Sequence, residues 1–511
     1  MFAKLNSFGV LGINPFKVEI EADLGKGLPV FDIVGMPGIA VKESRDRVRS
    51  SLKNCGFNFP IGRIIINLAP ADIKKEGPLY DLPILLSILV ASNQLSADLD
   101  NCAFIGELSL SGELRPVNGV LSMTIKALQD GIKKIFVPAD NAKEGAVVEG
   151  IEVYPVKNFI ELYEHLTGIK QILPQAPSFD HETKSNSLLD FSQIKGQYEA
   201  KRAIEIAAAG GHNVLLIGPP GSGKSMLAKR IPTILPDMTF EESIETTKVH
   251  SIAGLLEPGT PLITTRPFRA PHHTISSAGL SGGGSVPSPG ELSLAHNGVL
   301  FLDELPEFSR STMETLRQPL EDGSVTISRV NGTLTYPCSV MLVVAMNPCP
   351  CGYYGHPTRR CVCPTSDINR YLAKVSGPLL DRIDMHVEVP PVSFNKLNSN
   401  EETEPSSAIK ERINKARKIQ EERFKNYNFS YNARIDAANI KKVCTLTDTA
   451  TLVLKNSFER LGLSARAYDR ILKVSRTIAD LDDSELIKPE HISEAIQYRN
   501  LDRKYWTRNI S

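Results

Sequence analysis

A glycine-rich segment that ends in lysine and serine constrains this 511-residue chain more than any other feature. An apolar run at 213–217 precedes it and predicts a buried parallel strand, and residues 226–231 after it predict a helix. On such a strand–loop–helix turn, backbone N–H groups and the helix N-terminus face phosphate oxygens. Lys224 would reach the β- and γ-phosphates and Ser225 would ligate Mg²⁺. The sequence therefore predicts a nucleoside triphosphate site formed by Gly218, Pro219, Pro220, Gly221, Ser222, Gly223, Lys224 and Ser225.

Length and charge limit the other possibilities. A chain of this length predicts about two to four domains. Its 58 basic and 58 acidic residues cancel, so only local patches could favour nucleic acid. The longest apolar stretch, residues 82–91, is too short to span a bilayer. The first seven residues contain no apolar signal region, so we expect a cytoplasmic protein with no membrane partner.

Composition shifts divide the chain into segments. Residues 1–170 alternate strand-like and helical runs and predict an α/β domain. Residues 171–189 are polar, contain prolines and show no period, which predicts a linker. A second α/β domain with a parallel sheet is expected at 190–393, and a helical C-terminal lid at 394–511.

Two carboxylates and an amide follow apolar runs downstream of the phosphate loop. Asp303 and Glu304 end the run at 299–302, and Asn347 ends the run at 340–346. Alone, a strand followed by Asp-Glu also suits a helix N-cap. Behind a phosphate loop, the pattern favours Asp303 as a Mg²⁺ ligand, Glu304 as the base that activates water, and Asn347 as the residue that orients that water.

The order of these motifs, followed by Ser376-Gly-Pro-Leu-Leu-Asp-Arg382-Ile-Asp384, resembles an AAA+ ATPase of the magnesium-chelatase and MCM-like group. The segment at 463–470 resembles the sensor-2 helix of that group. The resemblance implies that Arg382 is an arginine finger for a neighbouring subunit and that Arg466 contacts the γ-phosphate in cis or in trans. It also implies a homo-hexameric ring. The alternative for either arginine is a surface salt bridge of little energetic value.

Further segments suit nucleotide and DNA contacts within this resemblance. Residues 190–197 resemble the part that packs near adenine, which favours ATP. Residues 266–273 and 282–290 predict a mobile, exposed insertion, and 324–336 predict a hairpin around an Asn-Gly turn. Inserts at these places handle DNA in the group, so Arg266, Arg269 and Arg329 are DNA-contact candidates. The alternative for the hairpin is a loop that merely covers the sheet edge.

Four of the eight cysteines occur as two Cys-x-Cys pairs with nine residues between the pairs. Four thiolates at this spacing could surround one structural Zn²⁺. Free or redox-active thiols are the alternative, and His356 could compete as a ligand. The predicted ligands are Cys349, Cys351, Cys361 and Cys363.

Segments at 34–49, 67–72 and 77–83 resemble the Lon-protease-like domain of the ComM/YifB family. Together with the motor motifs, this resemblance covers nearly the whole chain. A Lon-type peptidase needs a serine nucleophile and a lysine base. Leu79 and Leu121 stand where those residues would be, with Ser87 and Lys126 nearby in the sequence. We therefore expect no peptidase activity.

The resemblance implies an ATP- and Mg²⁺-dependent helicase or branch-migration motor. Its expected partners are single-stranded or branched DNA and recombination proteins during natural transformation. Two alternatives remain: a chelatase-type ATPase that remodels a protein partner without DNA, and an ATP-dependent peptidase.

Overall fold

The structure is a computed structural model. It describes residues 1–177, 189–284, 287–329, 332–392, 403–501 and 505–506. Most of the predicted linker, the beginning of the predicted lid and the hairpin turn at 330–331 lie outside the described residues. Contacts divide the chain into two compact units. The first comprises Met1–Glu182, Phe240–Ile263 and Ser328–Thr335, and the second comprises Thr183–Thr239, Thr264–Ile327 and Tyr336–Ser511.

The first unit contains a mixed seven-stranded sheet. In chain order its described strands are β1 Phe2–Leu11, β2 Asn14–Gly25, β3 Val30–Val34, β4 Arg63–Ala69, β5 Cys102–Phe104, β6 Glu107–Leu108, β7 Leu114–Arg115, β8 Lys134–Pro138 and β9 Glu152–Val156. The sheet order is β3-β4-β2-β1-β5-β8-β9, and β6 pairs with β7 separately. β1, β2 and β4 are antiparallel neighbours, whereas β3 joins β4, and β5, β8 and β9 extend from β1, in parallel.

Apolar helices complete the core of this unit. The helix Asp81–Ala91 is buried around its whole circumference, and Leu, Ile and Val occupy seven of its eleven positions. The other described helices of 1–177 are Ile39–Asn54, Val120–Gln129, Ala142–Gly145 and Phe159–Leu166, with a 3₁₀ turn at Ala139–Asn141. An α/β fold is thus present at the N-terminus, as the sequence predicted.

One helix of the first unit comes from the middle of the motor sequence. Phe240–Ile252 lies between the phosphate loop and the Asp303 strand in the chain, yet it clusters with the N-terminal residues. Its buried positions are mostly hydroxyl-bearing: Ser243, Thr246, Thr247 and Ser251, beside Val249. The predicted domain bounds had assigned residues 240–252 to the second α/β domain at 190–393.

The second unit is built on a five-stranded parallel sheet. The strands described after the first unit's sheet are β10 Val214–Ile217, β11 Phe268–Arg269, β12 Gly282–Gly283, β13 Ser288–Pro289, β14 Val299–Leu302, β15 Ser324–Arg329, β16 Gly332–Pro337, β17 Met341–Met346 and β18 Met385–Glu388. The order in the parallel sheet is β11-β14-β17-β10-β18. Every residue of β10, β14 and β17 is buried, which explains why these strands are apolar without alternation. β15 and β16, which span both units, pair as the predicted hairpin, and β12 pairs with β13.

The expectation of a mobile, exposed insertion at 266–273 is wrong for its first part. Phe268–Arg269 is the edge strand of the parallel sheet and pairs with β14, and both residues are half-buried. The ring of Phe268 stacks on that of Phe301 at 6.1 Å between centroids. A strand of two residues is too short to show a period, so no pattern in the sequence indicated it.

Helices surround this sheet and form the C-terminal part of the chain. Before residue 393 they are Tyr198–Gly210, Lys224–Ala228, Ser277–Ser281, Glu291–Leu294, Arg310–Glu314, Arg317–Asp322, Thr365–Leu372 and Gly377–Leu380, with 3₁₀ turns at Phe191–Gln193, Ile231–Thr233 and Leu305–Glu307. After residue 402 they are Ser406–Phe424, Ile440–Val443, Asp448–Leu461, Ala465–Leu481 and Pro489–Gln497, with a 3₁₀ turn at Asn432–Arg434. Within the described ranges, no helix combines the length and apolarity needed to cross a membrane.

Candidate nucleotide-binding site

The phosphate loop connects β10 to the helix Lys224–Ala228, as the sequence predicted. Gly221 and Gly223 adopt φ angles of +75° and +93°, a region that favours glycine. Gly218 has no room for a side chain, because a Cβ there would lie 2.2 Å from the Val389 carbonyl oxygen. The glycines are therefore required by the backbone path of the loop.

Lys224 is held inside this loop by three acceptors. Its Nζ lies 2.8 Å from the Gly218 oxygen, 3.0 Å from the Pro219 oxygen and 3.2 Å from Asn347 Oδ1. Burial lowers the pKa of Lys224, while Asp303 and Glu304 act in the opposite direction. The ammonium group is thus surrounded by the residues that the sequence assigned to phosphate and water.

Ser225 and Asp303 meet at the predicted magnesium position. Ser225 Oγ donates to Asp303 Oδ2 at 2.6 Å, across 78 residues of chain. A hydroxyl and a carboxylate side by side suit Mg²⁺, which prefers oxygen ligands. The donor set therefore fits the ion that the motif implies.

Glu304 extends beyond this pair toward solvent. Its backbone adopts a φ of +54°, and its N–H donates to Asp303 Oδ1 at 3.0 Å. Its side chain is 58% exposed, so the carboxylate is accessible to water at the end of β14. A positive φ at a non-glycine residue is a strained geometry that often marks a functional position.

A histidine that the sequence analysis did not assign faces Glu304. His273 Nδ1 lies 3.7 Å from Glu304 Oε2, and the His273 ring packs on His272 with 4.1 Å between centroids. Two consecutive histidines just after a short strand were the available signal. Because β11 was not predicted, nothing in the sequence placed these histidines near the Glu304 carboxylate.

The segment at 190–197 contacts the phosphate loop through a side-chain hydrogen bond. Gln197 Nε2 donates to the Ser222 oxygen at 3.0 Å and to the Pro390 oxygen at 2.6 Å. Arg230 donates to the Asp190 oxygen at 2.9 Å and to Gln193 Oε1 at 2.6 Å. This segment therefore contacts the phosphate loop and the helix that follows it.

Arg382 and Arg466 line a different cleft. Both border a cavity of about 470 Å³ whose lining, among the described residues, includes none of the phosphate loop. Arg382 pairs with Glu321 Oε1 at 2.7 Å and donates to the Arg317 oxygen at 3.0 Å, whereas Arg466, 62% exposed, lies 3.5 Å from Asp381 Oδ2. The structure brings these two arginines together but not to Lys224.

The three arginines proposed for DNA contact differ in their surroundings. Arg266 donates to the carbonyl oxygens of Pro236, Asn297 and Asp237 at 2.6–3.2 Å. Arg269 forms a bidentate pair with Glu291, both distances being 2.7 Å. These contacts favour structural roles for both residues. Arg329 is the last residue of β15, and its side chain lies outside the described atoms.

The four predicted zinc ligands converge. One sulfur from each of the four lies within 4.8 Å of the others, and the shortest Sγ–Sγ distances are 3.4–3.6 Å. These distances are far above the ~2.05 Å of a disulfide and near the ~3.8 Å edge of a Zn–S₄ tetrahedron. The thiols therefore fit a single Zn²⁺. His356 is outside this group, since its Nδ1 accepts from the backbone N–H groups of Thr358 and Arg359.

The positions of a Lon-type dyad carry no reactive pair. Leu79 is 7% exposed and Leu121 is fully buried. Ser87 donates to the Ile84 oxygen of its own helix, and Lys126 pairs with Asp130, the residue that follows its helix. The nearby serine and lysine thus each bond a neighbour in the chain and not each other.

Comparison with known proteins agrees with this geometry. The family model for magnesium chelatase, subunit ChlI, matches residues 190–397, and models for a further ChlI part and for the ChlI C-terminal part match 20–141 and 403–499. Competence protein ComM of Haemophilus influenzae is 44% identical over 499 residues, covering 96% of each chain. The uncharacterized protein YifB of Escherichia coli K12 is 44% identical over 495 residues with the same coverage. The chain belongs to the ComM/YifB family of magnesium-chelatase-like AAA+ proteins.

Membership of the ComM/YifB family supports ATPase activity with ATP and Mg²⁺. A Lon protease of Mycoplasma mobile is 29% identical over 128 residues, which covers 24% of this chain and 15% of that protein. The similarity agrees with the Lon-like fold of the N-terminal domain. This chain thus combines a Lon-like N-terminal domain with an AAA+ ATPase domain.

Proposed function

We propose that this chain is an ATP-driven DNA motor of the helicase or branch-migration type. It acts in the cytoplasm as a homo-hexamer on single-stranded or branched recombination intermediates, as in natural transformation. The observation that supports the DNA part is the similarity to competence protein ComM over 96% of both chains. The motor part is supported by the contacts that join Lys224 to Asn347 and Ser225 to Asp303.

Each residue of this site has a defined task in the proposal. The phosphate loop and Lys224 bind the triphosphate, and Ser225 with Asp303 holds Mg²⁺, which neutralises charge on the phosphates. Glu304 takes the proton of the attacking water, because its exposed carboxylate lies beside the Mg²⁺ ligands. Asn347 orients that water from the neighbouring strand.

Arg382 and Arg466 act on the nucleotide of an adjacent subunit in this proposal. The lining of the cleft that they share includes none of the described phosphate loop, which supports a role on the nucleotide of a second copy. Guanidinium groups suit this task because they stay charged and form paired hydrogen bonds with phosphate oxygens. Within one copy, the Arg382 guanidinium forms an ion pair with the Glu321 carboxylate.

The cysteine cluster is proposed to hold one structural Zn²⁺, and the N-terminal domain is proposed to be without peptidase activity. The first proposal is supported by four convergent sulfurs and the second by leucines at both dyad positions. A structural zinc stabilises the folded loop and takes no part in catalysis. The Lon-like domain then serves as a scaffold or a guide for DNA.

The proposed motor is tested by steady-state ATP hydrolysis with no DNA, linear duplex, single strand or a mobile junction. The salt concentration must be fixed and low, since phosphate contacts weaken with salt. The Glu304→Gln variant measures contaminating ATPase. We expect stimulation by single-stranded and branched DNA, followed by strand displacement on a junction.

A protein-remodelling ATPase is the second candidate, because the family model that matches residues 190–397 is that of magnesium chelatase, subunit ChlI. Equal turnover under all four DNA conditions, with basal activity intact, would favour this candidate and contradict the DNA motor. Degradation of casein in the presence of ATP would contradict the proposed loss of peptidase activity.

A further inference from the structure

The cysteine cluster touches the phosphate loop directly. Gly352, which follows Cys351, has a φ of +82°, and a Cβ on it would lie 2.4 Å from Pro220 Cδ and 2.7 Å from Pro220 Cγ. The backbone of this turn therefore packs on the proline ring with no space for a methyl group. Pro220 is the third residue of the phosphate loop, so the two motifs share a surface.

The same stretch of chain contacts the loop at two further points. Gly218 N–H donates to the Met346 oxygen at 3.2 Å, and Asn347 Oδ1 accepts from Lys224. Cys349 follows two residues later and is fully buried. The segment 346–352 thus lies along the phosphate loop from its first glycine to its lysine.

Contacts to the cysteine sulfurs hold the C-terminal end of the segment 346–352. Residues 353–363 form no helix or strand, and their described contacts with the turn at 349–351 are largely to sulfur. Cys351 N–H donates to Cys363 Sγ at 3.4 Å, and Tyr354 N–H donates to Cys349 Sγ at 3.3 Å. A metal shared by four thiolates would cross-link these pieces, and its binding energy would become folding energy of the turn.

We infer that Zn²⁺ at the cysteine cluster braces the phosphate loop through the Gly352–Pro220 contact, so that metal occupancy sets nucleotide affinity in the same subunit. This inference rests on the proposed zinc site and is independent of DNA. The zinc ligands position the loop and do not touch the nucleotide. Loss of the metal releases the turn, and the loop N–H groups lose their common orientation toward phosphate.

The first test measures zinc content and nucleotide affinity of the full-length protein without DNA. Zinc is counted by elemental analysis, and the dissociation constant is measured with a fluorescent ATP analogue and Mg²⁺. The double substitution Cys361→Ser and Cys363→Ser is expected to reduce zinc from one per subunit to none and to weaken nucleotide binding at least about tenfold. Cys55→Ser, outside the cluster, is the matched control and is expected to change neither value.

A second measurement covers the case in which the double variant fails to fold. Wild-type protein is stripped of zinc with a chelator, transferred to fresh Mg²⁺ buffer, measured, and then given one equivalent of Zn²⁺. We expect nucleotide affinity to fall and to return with the metal. Unchanged affinity in the stripped protein, or wild-type protein purified without any zinc, would overturn the inference.

Pro220→Ala tests the contact itself. This variant keeps the four thiols, so zinc content should stay at one per subunit while nucleotide binding weakens. Removing zinc should then weaken nucleotide binding less in Pro220→Ala than in the wild type, because the variant already lacks the contact between the proline ring and Gly352. Equal losses in both backgrounds would overturn the transmission through Pro220. A failed DNA assay would affect only the proposed motor.

Discussion

Ser251 donates a hydrogen bond to the buried carboxylate of Glu144, although 107 residues separate them. The Ser251 hydroxyl also accepts from Gly119 N–H at 2.9 Å, and Glu144 accepts from Leu121 N–H at 2.9 Å. Gly119 and Leu121 border the start of the helix Val120–Gln129, where a Lon-type lysine would stand. A serine from the motor sequence therefore completes the polar core of the Lon-like domain.

Ser251→Ala should destabilise the first unit. The substitution leaves the Gly119 N–H without a buried partner and removes one of the two donors to Glu144 Oε1, which costs about 1–3 kcal/mol of unfolding free energy. Hydrogen–deuterium exchange of peptides covering residues 117–129 measures the effect as faster local opening. Ser96→Ala, at an exposed serine of the same unit, is the control. Unchanged exchange in the Ser251 variant would contradict a stabilising role.

Glu144→Gln should change how stability depends on pH. Burial raises the pKa of Glu144, against hydrogen bonds from Ser251, Leu121 and Asn141. Above the ordinary glutamate pKa of about 4.3, the folded protein therefore binds more protons at this site than the unfolded chain. This site thus makes the free energy of unfolding fall as pH rises toward the folded pKa.

The glutamine variant lacks this contribution. Melting temperatures of both proteins, measured between about pH 4 and pH 8, should diverge in favour of glutamine as pH rises. Taking the difference between the two proteins removes the titration of all other groups. A difference that stays constant across the range would mean that Glu144 does not titrate with a raised pKa.

Glu304→Gln should retain ATP and lose turnover. Removal of a general base typically costs about 10²–10⁴-fold in rate, whereas the loop and Lys224 still bind phosphate. Single-turnover hydrolysis and nucleotide binding are measured side by side. Glu307→Gln alters an exposed carboxylate three residues away and should leave the rate within about twofold. Wild-type hydrolysis by the Glu304 variant would remove the assignment.

His273→Ala should reduce turnover less than the Glu304 substitution does, by about tenfold, because the histidine positions the carboxylate from 3.7 Å. The loss should appear in kcat, with the KM for ATP little changed. His356→Ala, whose ring bonds its own loop, is the control. A loss that appears in the KM for ATP instead would contradict a positioning role.

Arg382→Ala should abolish steady-state hydrolysis, by about 10³-fold or more, if the arginine completes a neighbour's site. Mixing this variant with Glu304→Gln should restore activity, because a Glu304 variant subunit can lend its Arg382 to an Arg382 variant subunit with an intact base. Arg370→Ala, at a 79% exposed arginine, is the control. No recovery in mixed rings would argue for a role within one subunit.

The convergence of the predicted site residues at one sheet edge could be inferred from the sequence because the strands that precede them are buried on both faces. β10, β14 and β17 are apolar at every position, and each is followed by polar residues at the same sheet edge. The phosphate loop, the two carboxylates and Asn347 therefore met as expected. The four cysteines also lie together. Only nine residues separate the two Cys-x-Cys pairs, so a single reversal of the chain brings them into contact.

The helix Phe240–Ile252 could not be assigned to the first unit from its sequence. Hydrophobic periodicity detects burial of apolar side chains, whereas this helix buries hydroxyl groups. Those hydroxyls also have partners that only the fold supplies, such as the Ile263 N–H for Thr247 and Glu144 for Ser251. Likewise, the facing of His273 and Glu304 depends on the two-residue strand β11, which is too short to leave a pattern.

The membership of Phe240–Ile263 and Ser328–Thr335 in the first unit has a topological consequence. Following the chain from one end to the other, the polypeptide passes between the two units five times. A cut in the segment 171–189 would break one of these passages and leave four. An N-terminal fragment released at that point would also lack Ser251 and leave Glu144 without its hydroxyl donor. The Lon-like domain of this protein is therefore a unit of structure but not a separable piece of sequence.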